Sequence, residues 1–253
     1  MDQTNGIKDY QVQGAGPGLL LLPGATGSLD LLEPQVNHFQ KRFRVIATSY
    51  PPVPTMTQLV DNISKVLDRE GITRTNVVGG SYGGLVAQAF ARRYPRRVIK
   101  LALSHTGAPD PDRAVKLERV LKFLQYMPDA LLRFLYKRRM SALLPKNREG
   151  APIDRRKFDA SIERLTREDI IRSFERVVDF DRHFVFKPGE GARFIPVLLI
   201  MADDDPTTPV RVRARMGELY PHAETYVFHG TGHAAPLLKP EEYLAVLDRF
   251  LGN

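Results

Sequence analysis

The sequence predicts an α/β protein: a mostly parallel central sheet flanked by helices, with a block of helices inserted late in the chain. Three observations predict it. Short apolar runs alternate with helix-period segments over residues 1–110, and again over 191–253. The run Leu19, Leu20, Leu21, Leu22 is apolar at every position, as a strand buried on both faces requires. From about 111 to 190 the strand-like runs vanish and amphipathic helical patterns replace them. We therefore expect a core domain made of 1–110 and 191–253, carrying a helical subdomain of 111–190.

The elements follow in order. Residues 7–13 read as a short edge strand, ended by the turn Gly14-Ala15-Gly16-Pro17-Gly18, and 19–22 as a central strand. Residues 43–49 are the next strand. Over 57–70 the apolar positions Leu59, Val60, Ile63, Val66 and Leu67 recur at helical spacing, and Gly71 stops the helix. Residues 76–79 form a strand, 82–94 a helix ended by Pro95, and 98–104 a strand. The inserted block offers helices at 112–126, 129–144 and 167–180, punctuated by Pro128, Pro145 and Pro152. The core resumes with a strand at 194–201, a helix at 210–219, a strand at 225–228 and an amphipathic closing helix at 241–251.

Composition excludes several classes of function. A chain of 253 residues with 43% hydrophobic and 26% charged residues buries a full core. No window approaches ~18 consecutive apolar residues, so no membrane partner is expected. The start, Met1-Asp2-Gln3-Thr4-Asn5-Gly6, has neither a basic nor an apolar leader segment, so a cytoplasmic location is expected. Cysteine is absent, which removes disulfides, thiolate metal sites and a Cys nucleophile. The net charge is +8, and 26 of the 37 basic residues are Arg. The charges are dispersed, however; the densest patch, Lys137-Arg138-Arg139, reads as a solvated helix face, and no nucleic-acid partner is expected. The segment 111–190 holds 19 Lys/Arg against 13 Asp/Glu, a balance of +6 that accounts for most of the chain's positive charge.

Three short segments carry the chemistry. Gly79-Gly80-Ser81-Tyr82-Gly83 joins a strand to a helix, a G-x-S-x-G turn that lifts a serine hydroxyl out of a sheet. Gly79 and Gly83 flank Ser81 because a Cβ there would crowd the neighbouring strand and helix. A serine hydroxyl needs a base, and His233 is the histidine set among small neighbours, Gly232, Ala234 and Ala235. The base needs an orienting acid, and Asp203-Asp204-Asp205 offers three; Asp205 is favoured, with Pro206 and Pro209 stiffening the chain beyond it. A metal site on these carboxylates is disfavoured, since consecutive residues point apart. Two amides suit an oxyanion: Tyr82 N–H at a helix start, and Ala25 N–H in the loop Pro23-Gly24-Ala25-Thr26-Gly27 after the central strand. Gly24 is expected to serve that loop's shape. Thr26, His105, Leu124, Met127 and Pro206 are expected to line the substrate pocket. Apolar faces at Leu117, Val120, Leu121, Leu131, Leu132 and Leu135 are expected to pack within the insertion for the most part.

These motifs, in the order Ser81, Asp205, His233, with Asp205-Pro206-Thr207-Thr208-Pro209 and His233 before Pro240-Glu241-Glu242, resemble the α/β-hydrolase fold superfamily over essentially the whole chain. The resemblance implies about eight strands, a helical cap at 111–190, Ser81, Asp205 and His233 as a triad, and Ala25 and Tyr82 as oxyanion donors. It implies a serine hydrolase acting on small-molecule carboxylic esters with no cofactor and no metal, as a monomer or homodimer. Thioesterase, lactonase, C–C hydrolase, aminopeptidase and perhydrolase chemistry share the triad and stay open. Two loops depart from the pattern: Pro23-Gly24 replaces the frequent His-Gly, and Tyr50-Pro51-Pro52-Val53-Pro54 replaces a Gly-rich turn. Both are similar to maspardin-like members, thought of as binding adaptors, so a non-catalytic reading also stays open.

Overall fold

A computed structural model describes residues 9–144, 155–187, 190 and 195–252. The predicted strand positions 7, 8 and 194, and the punctuating Pro145 and Pro152, lie outside the described residues. Seven strands make one sheet in the order β1–β3–β2–β4–β5–β6–β7. They are β1 (Tyr10–Gln13), β2 (Gly18–Leu22), β3 (Arg44–Thr48), β4 (Thr75–Gly80), β5 (Val98–Ser104), β6 (Val197–Ala202) and β7 (Glu224–Phe228). Only β1 runs antiparallel to its neighbour; every other pairing is parallel. The resemblance implies about eight strands, and the described residues hold the seven that the apolar runs predict.

Side chains alternate across the sheet as a period of two demands. Leu20, Ile46, Val77, Leu101 and Leu199 face a cluster that includes buried residues of α2 (Met56–Arg69), α3 (Tyr82–Arg93) and α8 (Val210–Leu219). Leu19, Val45, Val78, Ala102 and Leu198 face the other side, with α1 (Glu33–Phe39) and α10 (Pro240–Gly252). Thr55 caps α2, its hydroxyl accepting from Gln58 N–H at 3.1 Å. Helix α1 is not among the predicted elements; its Val36 and Phe39 are buried at helical spacing, but seven residues give periodicity little room to show.

Between β5 and β6 the chain forms α4 (Pro111–Leu124), α5 (Asp129–Ser141), α6 (Arg155–Glu163) and α7 (Arg167–His183). Of these, α6 is not among the predicted helices, α5 stops short of 144, and α7 runs past 180. Asp110 caps α4, and a reciprocal Thr166–Asp169 box caps α7. Arg113 of α4 grips the buried Asp181 of α7 with two hydrogen bonds of 2.7 and 2.6 Å. Leu132, Tyr136, Leu144, Phe158 and Ile170 form a third cluster, packed against Leu31 after β2 and against Leu237 in the short α9 (Ala235–Leu238) after β7.

Register sets the site. Leu22 lies opposite Gly79, Gly80 opposite Ser104, Ser104 opposite Ile200, and Ala202 opposite Phe228. The loops leaving β2, β4, β5, β6 and β7 therefore exit along one edge of the sheet, the edge where parallel sheets place ligands. Among the described residues no helix is long and apolar enough to cross a membrane.

Candidate active site

The turn from β4 into α3 is built by close approach. A Cβ on Gly79 would sit 2.2 Å from Gly83 O, and one on Gly83 would sit 2.3 Å from Leu22 O. Gly84, just beyond the motif, would collide with the Thr106 side chain at 2.5 Å. Only glycine lets strand, turn and helix meet this tightly. Ser81 then takes φ 54°, a left-handed backbone that costs a non-glycine residue ~1–2 kcal/mol. Two bonds of 2.8 Å hold it there, from Ser81 N to Ser104 O and from Thr106 Oγ1 to Ser81 O.

Ser81 Oγ lies 2.8 Å from His233 Nε2, and His233 Nδ1 lies 2.8 Å from Asp205 Oδ2. An ionised carboxylate only accepts, so Nδ1 carries the proton and Nε2 is free to accept from Ser81 O–H. The Asp205 side chain is wholly buried and that of His233 nearly so. Burial pushes the Asp205 carboxyl up. The bond and charge of His233 and two bonds from Thr207 outweigh it and hold the group well below the usual carboxylate range. Thr207 N and Oγ1 each donate to Asp205 Oδ1 at 2.8 Å, and Oγ1 also lies 2.8 Å from His233 Nδ1. Thr207 is not among the predicted site residues; its signal in the sequence is its place two residues after an aspartate, where an Asp side chain turns back on its own backbone. The neighbouring acids grip the histidine loop. Asp204 accepts from Gly232 N–H at 2.8 Å, and Asp203 pairs with His229 at 2.7 Å.

The loop after β2 has no histidine to brace it, and two tyrosines do so. Tyr50 O–H donates to Pro23 O at 2.7 Å, and Tyr136 O–H reaches over from α5 to Ala25 O at 3.3 Å. Tyr82, whose amide is the first of α3, turns its buried ring against Tyr50, with centroids 5.4 Å apart, and accepts from Arg176 Nε at 2.6 Å. Arg176 is itself buried and also donates to Pro51 O and Val53 O. The shortened proline turn is thus fastened to α7. Gly24 departs from expectation: a Cβ there meets nothing within 4 Å, so the loop places no steric demand on it.

Ser81 and His233 open on a cavity of about 180 Å³. Of the residues expected in the pocket, Thr26 and His105 line it, and Leu124, Met127 and Pro206 do not; Ala25, expected as an oxyanion donor, lines it too. Leu124 and Met127 pack into the cluster within the insertion, and Pro206 faces solvent. The insertion contributes Met140, Leu143, Leu144 and Phe158 instead, opposite Leu21, Leu31, Leu32, Val78 and Leu237 of the core. No Lys, Arg, Asp or Glu of the described residues lines this cavity. His105 is buried at φ 49°, and its ring meets that of His233 edge-on at 5.8 Å. Burial, with the charge of His233 behind it, pulls its pKa down to about 4, so this imidazole is neutral at pH 7. Among the described residues no group of acids and histidines is arranged to hold a metal ion.

The comparisons agree with this architecture. A family model described as alpha/beta hydrolase fold matches residues 17–240. A 2-hydroxy-6-oxononadienedioate/2-hydroxy-6-oxononatrienedioate hydrolase of Paraburkholderia phymatum is 29% identical over 266 residues, covering 96% of this chain and 90% of that protein. A hydrolase from Pseudomonas aeruginosa superposes with a TM-score of 0.81 at 22% identity, covering 96% of this chain and 94% of that one. A thermophilic esterase from Thermogutta terrifontis gives a TM-score of 0.81 at 22% identity, covering 96% and 92%.

Proposed function

The chain belongs to the alpha/beta hydrolase fold family, and from that membership we propose that it is a serine hydrolase cleaving carboxylic esters through an acyl-enzyme. The observation that carries the proposal is the hydrogen-bonded series Asp205–His233–Ser81 opening on a cavity whose described lining is mostly apolar and holds no Lys, Arg, Asp or Glu. His233 Nε2 takes the Ser81 proton as Oγ attacks the ester carbonyl. Asp205, fixed by Thr207, stabilises the imidazolium that results. The amides of Ala25 and Tyr82 receive the oxyanion, each such donor contributing ~3 kcal/mol. The alcohol departs with the proton from His233, and water activated by the same nitrogen releases the acid. The chain's own residues supply each function, so the cycle calls for no cofactor.

A second reading has support among the relatives, several of which share one name. The relative from Paraburkholderia phymatum is by its name a hydrolase of oxo-dienedioates, substrates bearing two carboxylates. Carboxylates desolvated in a cavity need cations or many donors. The absence of Lys and Arg from the described lining favours a neutral ester over a diacid.

The test is a panel of p-nitrophenyl esters from acetyl to decanoyl, run beside a thioester, a lactone and an oxo-dienedioate. Ser81→Ala is expected to abolish ester turnover with the fold intact, and a fluorophosphonate probe to label the parent protein but not the variant. Turnover that survives Ser81→Ala, or cleavage of the oxo-dienedioate with no ester activity, would sink the proposal.

A further inference from the structure

Six large apolar side chains stand exposed within sixteen residues of the insertion: Val120 at 42%, Phe123 at 73%, Tyr126 at 84%, Leu131 at 45%, Phe134 at 59% and Leu135 at 41%. Only three other large apolar residues are exposed among the described residues. They are not scattered. On α4, Lys116, Arg119, Val120 and Phe123 occupy positions i, i+3, i+4 and i+7, which is one helix face. On α5, Leu131, Phe134, Leu135 and Arg138 repeat the same spacing. All eight residues are exposed, while Ala114 and Leu124 on α4 and Leu132 and Tyr136 on α5, away from or beside these stripes, are buried. Each helix therefore has an inner apolar face that the fold covers and an outer stripe of apolar and cationic residues that it does not.

The charge on this surface is mostly positive, Asp112 on the α4 stripe being its one exposed acid without an ion pair among the described residues. Glu118 is engaged by Arg182, and Asp129 by Arg167, so α7 neutralises two of the acids nearby. Lys116, Arg119, Lys122 and Arg138 are exposed and form no ion pair among the described residues. The elbow between the helices is held in place. Arg167 donates to Leu124 O and Gln125 O at 2.7 Å and to Met127 O at 2.6 Å, which presents Tyr126 and Phe123 on a braced turn.

We propose that the outer stripes of α4 and α5 are an interfacial docking surface for an anionic lipid bilayer. Apolar side chains enter the headgroup boundary while Lys and Arg beside them meet lipid phosphates, the pairing that holds interfacial helices at anionic membranes. A second copy of the chain is the poorer occupant. A two-fold contact would bring the four unpaired cations of each copy onto the same face of the other, with Asp112 as the one unpaired acid of α4 and α5 to receive them. The expectation of no membrane partner rested on the lack of a spanning run, and a surface contact needs none.

The experiment is flotation of the whole protein with phosphatidylglycerol–phosphatidylcholine vesicles and with pure phosphatidylcholine vesicles, at low and physiological salt. The protein is expected to float with the anionic vesicles and stay behind with the zwitterionic ones. The double variant Phe123→Ser/Phe134→Ser is expected to lower the partition at least about tenfold. Lys116→Glu/Arg119→Glu is expected to remove the salt-sensitive part. Both variants should keep the parent melting temperature and the parent turnover of a soluble ester. The proposal is overturned if the parent ignores anionic vesicles, or if both double variants still bind them. It is equally overturned if ultracentrifugation finds a dimer that Phe123→Ser/Phe134→Ser dissolves in the absence of any vesicle binding.

Discussion

Thr207 sits where carboxylate and imidazole meet, and its hydroxyl touches both. Thr207→Val keeps the shape and removes the oxygen. We expect kcat to fall about tenfold with KM little changed, because the lost bond orients the base and does not bind substrate; steady-state kinetics on one ester checks this. The residue scale was also the most legible in sequence. Ser81 was marked by glycines whose necessity is visible as a 2.2 Å clash at Gly79, and His233 by its place between a strand and a closing helix. Asp205 needed a choice among three neighbours, and the structure sets Asp203 and Asp204 to other tasks in the same loop. Gly24 shows the opposite case. A glycine next to a functional loop reads as a requirement, but only packing reveals that nothing approaches it.

At the scale of elements, the core was legible and the insertion much less so. Buried strands announce themselves by unbroken apolar runs such as Leu19 to Leu22, and their loops inherit a common edge from the parallel register. Helices of the insertion have apolar residues on two faces, so periodicity does not say which side meets the cavity. Leu124, Leu144 and Phe158 share one interior cluster, with Met127 packed against it, yet of these four only Leu144 and Phe158 also line the pocket. One link between insertion and core is Tyr136, whose hydroxyl reaches Ala25 O. Tyr136→Phe is expected to cut kcat by about fivefold, through a looser oxyanion loop, and to cost about 1 kcal/mol in unfolding free energy. Chemical denaturation and kinetics on the same sample separate the two effects; a change in KM alone would refute the positioning role.

For the whole molecule, pH enters through His105. Its folded pKa of about 4 lies below the ordinary 6.5. Between these values the unfolded chain binds a proton that the folded protein refuses, so stability rises with pH across that window. The contribution is complete above about pH 6.5 and is lost as pH falls toward 4, a swing on the order of 3 kcal/mol. Asparagine tolerates the left-handed backbone, so His105→Asn is the variant of choice. Urea titrations from pH 4.5 to 7.5 should show a flatter profile for His105→Asn than for the parent, and parallel profiles would exclude His105 as the source. The placement of the insertion has an evolutionary meaning as well. Strands β5 and β6 are parallel neighbours, so the 111–190 segment not only decorates the fold but also carries the chain from one end of the sheet back to the other. A lineage can trade its helices for others, or graft in a larger lobe, and so change what the cavity admits. It cannot trim the segment to a hairpin. Some crossover of a dozen or so residues must always survive, and that floor limits how minimal any descendant of this scaffold can become.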